Sequence, residues 1–344
     1  MIDIKLVEIG IIISVGILVS CRAGFSPSEP VHAIPIDDNT ISLTYWSVPV
    51  SQNRISDMKS DFGENIIYTY KNMNKIGRLD PETNIITEWT FDVNSTISGI
   101  SIDLRSGLIY FGYEDMNKIG RLHPGTNIVT EWALKNNTTT DSSGLENLVF
   151  DSPSGKLYFT AASTNKIGRL DPQTNMVTEW SLPGNSTDEA NATFASYDPS
   201  SSDLYILKNT SPPGIISLDT LSNNITKWTF PHNLSNITSF SRGFDGYYFT
   251  YENISKVGRF DPLANNITEW TIRDNVTGFS DGGYDLSTGV VYFTSAETNN
   301  VGRWIPYNGI TTEWKVKNSP LSLTIAPSGS IYFTDALDRI GRIS

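Results

Sequence analysis

The side chains suited to acid, base or metal chemistry are few in this chain. There are three histidines, His32, His123 and His232, one cysteine, Cys21, and three carboxylates that fall near the ends of strand-like runs, Glu146, Asp281 and Asp335. A histidine within hydrogen-bond reach of an acidic C–H can act as a general base, and converging oxygen ligands suit a hard cation such as Mg2+ or Ca2+. The histidines sit in a proline-containing lead segment, a turn and a loop, and no P-loop, dinucleotide fingerprint, zinc-type Cys/His cluster or Gly-x-Ser-x-Gly elbow occurs. The residues alone therefore assign no catalytic group, no metal ligands and no cofactor. Glu146, Asp281 and Asp335, with Tyr113 and Tyr251 at the ends of aromatic runs, are the candidate ligand-binding residues.

A repeat must position them. NKIGRLDPETNIITEW at 74–89 returns as NKIGRLHPGTNIVTEW at 117–132 and NKIGRLDPQTNMVTEW at 165–180, with weaker copies at 255–270 and 300–314. The closing tryptophans, Trp46, Trp89, Trp132, Trp180, Trp228, Trp270 and Trp314, recur every 42 to 48 residues. Each unit holds four short runs rich in Ile, Val, Phe, Tyr, Trp and Thr, bounded by Gly, Pro, Asn or Asp, which is the strand signature. A period of this length with four strands predicts an all-β propeller with one antiparallel blade per repeat. The DPETN segments read as turns: Pro presets a dihedral, Asp bonds its own backbone and Asn tolerates a left-handed conformation. The Gly of KIGR is expected to leave room for the cross-strand Trp, and its Arg to pair with the Glu of TEW.

The last unit gives IYFT and RIGRIS and then lacks a fourth strand, while ISLTYWSVP at 41–49 matches the missing piece. An N-terminal strand completing the last blade closes a ring of seven and leaves no free edge. Residues 41–344 are thus expected to form the propeller, enough chain for a large core.

Residues 1–40 lie outside the repeats. The apolar run at 9–19 is too short to span a bilayer and suits a signal peptide over residues 1–20. LVSC at 18–21 resembles a lipobox, so Cys21 is a lipidation candidate; the alternative is ordinary cleavage near Ala23. Residues 21–40, with three prolines, read as a tether. One cysteine permits no internal disulfide, and a net charge of -12 disfavours nucleic acid and anionic lipid as ligands. Twelve Asn-x-Ser/Thr sites suggest a glycosylated exterior on an exported protein: Asn94, Asn136, Asn137, Asn185, Asn191, Asn209, Asn224, Asn233, Asn236, Asn253, Asn266 and Asn275.

The KIGRLDP and TEW elements, over 41–344, resemble virginiamycin B lyase, the streptogramin lyase family of seven-bladed propellers. The I-Y-F-T strands with Asn-rich turns are similar to YVTN repeats of cell-surface proteins. The lyase resemblance implies opening of a cyclic depsipeptide ester by elimination, with a histidine base before a glycine at the start of a blade and a Mg2+ ion held partly by carboxylate. At that histidine position this chain carries Ser98, Glu146, Thr193, Thr238, Ser280 and Leu321, with Ile55 by a looser match. At the family's glutamate position, after the second strand, it carries Tyr70, Tyr113, Ala161, Lys208, Tyr251, Ser295 and Asp335. The expectation is a monomeric, exported or cell-surface binding and scaffold module. Its partner would be a small molecule, a glycan or a surface protein, and it would touch the membrane only through an N-terminal anchor. The alternatives are a Mg2+-dependent lyase with another base, or a propeller hydrolase with a metal in its funnel.

Overall fold

The computed structural model describes residues 41–49, 55–92, 95–134, 145–161, 166–182, 192–208, 214–229, 237–273 and 278–344. The proposed signal, Cys21 and the tether lie outside them. Among the described residues, 28 strands form seven four-stranded antiparallel sheets, and no helix occurs. In the last sheet β1 (Leu43–Ser47) pairs with β28 (Arg339–Ile343), which joins β27 (Ile331–Asp335) and β26 (Pro320–Ile325). The N-terminal strand therefore completes the C-terminal blade, as the sequence pattern predicts.

The first strand of each blade is the innermost. β2 (Ile55–Ser60), β6 (Ile97–Asp103), β10 (Leu145–Asp151), β14 (Ala192–Asp198), β18 (Ile237–Arg242), β22 (Asp281–Asp285) and β26 neighbour one another in a closed circuit. Second strands such as IIYTY at Ile66–Tyr70 and YYFTY at Tyr247–Tyr251 are buried at every residue, because adjoining blades cover both faces. That double burial explains their unbroken apolar runs. The outer strand IITEWT, Ile85–Thr90, is covered only in part.

Two details of the repeat differ from expectation. The glycine of KIGR clears space for the aromatic ring of the second strand, not for the tryptophan: a Cβ on Gly120 would fall 2.2 Å from the Phe111 ring, and one on Gly168 1.9 Å from Phe159. The tryptophan lies across from the preceding residue, as in Ile76 opposite Trp89. Blade four, which lacks the glycine, places Ile216 opposite Ile206. An aromatic–glycine pair has become an aliphatic pair with both sides changed together.

Secondly, the arginine of KIGR does not pair with the glutamate. The register sets Arg78 opposite Thr87, and one-residue alternation sends the two side chains apart. The lysine at the start of the motif takes the glutamate instead, in Lys75–Glu88, Lys118–Glu131, Lys166–Glu179 and Lys256–Glu269. The arginine lies over its own blade's indole, as Arg121 over Trp132 and Arg169 over Trp180. Partly exposed pairs of either kind stabilise by about 1 kcal/mol or less.

The indole N–H reaches the next blade. Trp46, Trp89 and Trp132 donate to Asn84, Asn127 and Asn175 at 2.7 Å, and those asparagines hold φ of 60°, 58° and 56°. One turn residue thus supplies both the left-handed backbone and the blade-to-blade acceptor. Trp314 Nε1 is buried without a partner. The blade it faces is the seventh, whose hairpin between third and fourth strands is open because β28 and β1 come from opposite ends of the propeller.

Candidate functional site in the central channel

Antiparallel alternation gives the ring two ends. Turns from first to second strand and from third to fourth lie at one, the turn end. Turns from second to third strand and blade-to-blade links lie at the other, the link end. Near the link end, first strands in six blades carry a register irregularity, including Ile55/Asp57, Ile97/Ile100 and Pro320/Leu323. Bulges of this kind re-aim a side chain. The residue they present is Asp57 in blade one, Gly99 in blade two, Ser239 in blade five and Ser322 in blade seven; Asp281 holds the same place in blade six.

Asp57 and Asp281 use this position alike. Asp57 Oδ2 accepts from Ile100 N of the next inner strand at 3.0 Å, and Asp281 Oδ2 accepts from Leu323 N at 2.9 Å. The other oxygen of each accepts from the following backbone N–H, Met58 N at 2.8 Å and Gly282 N at 2.7 Å. Their remaining partners differ. Asp57 Oδ1 takes the Lys59 ammonium at 2.8 Å, whereas Asp281 Oδ2 takes the Ser322 hydroxyl at 2.9 Å.

That difference splits the two carboxyls. Burial pushes both up; for Asp57, the charge of Lys59 and the N–H groups of Ile100 and Met58 outweigh it and hold the carboxyl below its usual value. For Asp281 burial wins over Leu323 N, Gly282 N, Ser322 and the more distant Lys59, and the carboxyl rises to about 6. Burial would lower Lys59, yet Asp57 and then Asp281 hold it above the ordinary lysine value. The result is one fixed anion, one fixed cation and one carboxyl that titrates near neutrality. Lys59 remains open to the channel, with 47% of its side chain exposed.

Of the sequence-predicted residues whose side chains are described, Asp281 alone lies here. Tyr113 and Tyr251 are buried, and their hydroxyls donate to Glu131 at 2.7 Å and Glu269 at 2.5 Å. With Lys118 and Lys256 these form a Tyr–Glu–Lys triad inside blades two and five, repeated by Tyr70, Glu88 and Lys75 in blade one. Burial, then the glutamate, pushes each tyrosine up. Tyr113 does line an outer crevice of about 420 Å³ with Phe91, Asp92 and Glu131.

Asp335 belongs to the same outer position in blade seven and is not a channel ligand. Its side chain is fully buried and accepts from Arg339 Nε at 2.9 Å and Nη2 at 2.5 Å, while the guanidinium lies over Tyr45. Carboxylate and aromatic have exchanged strands, with the cation kept on the third. Glu146 lies on β10, its side chain outside the described residues.

Asp57, Lys59 and Ser322 are what sequence reading missed. Pairing of Ile55 with Tyr70 makes Ser56, rather than Ile55, the blade-one counterpart of Ser98. The signal available was ISDMKS at Ile55–Ser60, two charges in a strand whose counterpart ISGISID in blade two carries none before its final Asp. Of the histidines, His123 is exposed in a third-to-fourth-strand turn, where its Nδ1 accepts from Gly125 N at 3.2 Å; His32 and His232 lie outside the described residues. Among the described residues no three of His, Cys, Asp or Glu converge as metal ligands.

The backbone is similar to that of virginiamycin B lyase from Staphylococcus aureus, with a TM-score of 0.73, 20% identity, and 89% of this chain and 99% of that one covered. A streptogramin B lyase structure matches equally, at 0.73 and 20% over 88% and 97%. So does a catalytically inactive histidine-to-alanine variant of the Staphylococcus aureus enzyme with quinupristin, at 0.73 and 20% over 89% and 99%. These likenesses establish the fold. A chain of the mitotic checkpoint complex also matches, at 0.69 and 9% over 93% and 97%, so the scaffold alone selects no activity. No family model matches the chain, and no curated protein matches it by sequence.

Proposed function

We propose that this propeller is a binding module that takes a small polar molecule in its channel, on Lys59, Asp57, Asp281 and Ser322. Lys59 carries the reading. The two aspartates also serve the fold by accepting N–H groups from the next blade, but the half-open ammonium ties no strand to its neighbour. A ligand that offers an anionic or carbonyl oxygen to Lys59 and a donor to Asp281 matches the charges present. Export, lipid attachment at Cys21 and glycosylation belong to the same proposal. The described sequons Asn224, Asn253 and Asn266 are exposed; the other nine lie outside the described residues.

The test is saturation-transfer NMR of the chain with a panel of free sugars and amino acids, repeated on Lys59→Met. Signals that disappear in the variant support channel binding. A panel whose signals survive Lys59→Met unchanged rules the channel out.

Lyase chemistry is the second reading, favoured by a carboxyl near pH 6 facing a lysine. Asp281 could remove a proton, and Lys59 could offset charge developing on the departing oxygen. Incubation with quinupristin, followed by mass spectrometry, separates the readings. Linearised product that requires Asp281 displaces the binding proposal; intact quinupristin beside an active control lyase leaves it standing.

A further inference from the structure

The repeat breaks at the interface between blades one and two, and the residues that break it line one cavity. Across from the arginine position of the third strand, six of the seven blades carry a tyrosine on the second strand, as Tyr110 opposite Arg121 and Tyr158 opposite Arg169. Blade one carries Ile67, opposite Arg78. In blades two, three and five that tyrosine stacks on an aromatic side chain of the next blade's first strand. Tyr110 meets Phe150 with ring centroids 4.6 Å apart, Tyr158 meets Tyr197 at 5.2 Å and Tyr248 meets Tyr284 at 4.6 Å. Between blades one and two the same two places hold Ile67 and Ile102, both buried. Two aliphatic chains stand where the other interfaces put two rings, and beside them lies a cavity of about 200 Å³ lined also by Arg78, Asp61 and His123.

The polar side chains of this cavity depart from the repeat as well. Arg121, Arg169, Arg259, Arg303 and Arg342 each lie over an indole of their own blade. Among the described residues Arg78 makes no ring contact, hydrogen bond or ion pair, although its charge is felt at Asp80, and its Nε is buried without a partner. His123 stands where blades one, three, four and five have Asp80, Asp171, Asp219 and Asp261. Its Nδ1 accepts from Gly125 N at 3.2 Å, which leaves the neutral ring a hydrogen on Nε2. Asp61 accepts from Gly63 N and Asn65 N on Oδ1 and from Asn65 Nδ2 on Oδ2, so Oδ2 keeps room for one more donor.

The other blades show what chemistry answers that arginine. Burial pushes the Tyr110 hydroxyl up and the Arg121 beside it draws it back, and Tyr332 stands in the same relation to Arg342. A phenol in the cleft sets its ring against Ile67 and Ile102 and its oxygen against Arg78, as those tyrosines do within their own blades. A carboxylate would face Asp61, whereas a phenol is neutral and brings the hydrogen that Asp61 can accept. A bare hydrocarbon leaves the guanidinium unanswered.

We propose that the cleft between blades one and two binds a small phenol. The site lies at the turn end, apart from Asp57 and Asp281 near the link end.

The experiment is saturation-transfer NMR of the full chain with 4-methylphenol, repeated on Ile67→Tyr, Ile102→Phe and Arg78→Met. The first two put a ring back from either wall, each with a residue type that other blades use at that place, and circular dichroism checks that the strands persist. If one filling variant does not fold, the other carries the comparison. The expected result is a signal with the parent, its loss in the filling variants, and binding about tenfold weaker in Arg78→Met, as for one hydrogen bond to a charged group. Absence of signal with the parent at millimolar 4-methylphenol overturns the proposal. A signal that survives in a folded filling variant places the phenol elsewhere and overturns it too. Toluene binding as tightly as 4-methylphenol would make the cleft an apolar void, and 4-methylbenzoate binding more tightly would make it an anion site; either result overturns the phenol.

Discussion

The outer rim and the channel wall use the same kinds of residue to opposite ends. On the rim, Tyr–Glu–Lys recurs in blades one, two and five, and blade seven rebuilds it as Asp335, Tyr45 and Arg339 with two members exchanged between strands. Each charge of these triads has a partner within its own blade. On the channel wall, Asp57, Lys59 and Asp281 occur once each, span blades one and six, and leave an ammonium and a titrating carboxyl unresolved by any repeat rule. A motif that persists when its members trade places answers to packing. Charge that breaks the repeat in the channel is where a ligand can be recognised.

The largest effect should come from the rim. Asp335→Asn strands the Arg339 guanidinium beside a buried amide, and breaking such a pair costs about 3–5 kcal/mol. Urea unfolding measures it; a loss below about 1 kcal/mol would mean that blade seven does not depend on its exchanged triad. The channel should show itself next, through pH. Asp281 has a folded value near 6, above the ordinary 3.8, so its stabilising contribution is complete below about pH 3.8 and is lost as pH rises through 6. Asp57 runs the other way: held below 3.8, its contribution is present above that value and lost as pH falls through its folded one. Stability of Asp281→Asn relative to the parent should therefore improve between pH 4 and 7, on the order of 1–3 kcal/mol. A flat difference across that range would equate the two aspartates. The smallest effect is Tyr113→Phe, which deletes one hydroxyl to Glu131 and should cost about 1 kcal/mol by thermal denaturation, with channel binding untouched. Altered binding would join the two regions.

Much of the fold was legible because repetition averages out local noise. Seven tryptophans at near-constant spacing and a missing fourth strand matched by 41–49 suffice for ring size and closure. Side-chain partners were not legible to the same degree, since one residue of register decides which side chains share a face: Arg78 lies opposite Thr87, and Lys75 takes Glu88 instead. The site was the least legible. Asp57 and Lys59 sit on the strand that fits the template worst, and the irregularity that turns Asp57 toward Ile100 leaves no mark in composition. Asp335 drew notice as an acid at a family position, whereas its partner, Arg339, lies only four residues on.

The open hairpin of blade seven also orders events in time. Leu43 pairs with Ile343, so the strand that completes the last blade emerges first during synthesis and must wait for the whole propeller to follow. Until β1 docks on β28, six complete blades flank a three-stranded remnant, β26 to β28, whose unpaired edge invites other strands. Closure across some 300 residues is a slow, late contact, which makes the span between synthesis and sealing the period of greatest exposure to aggregation.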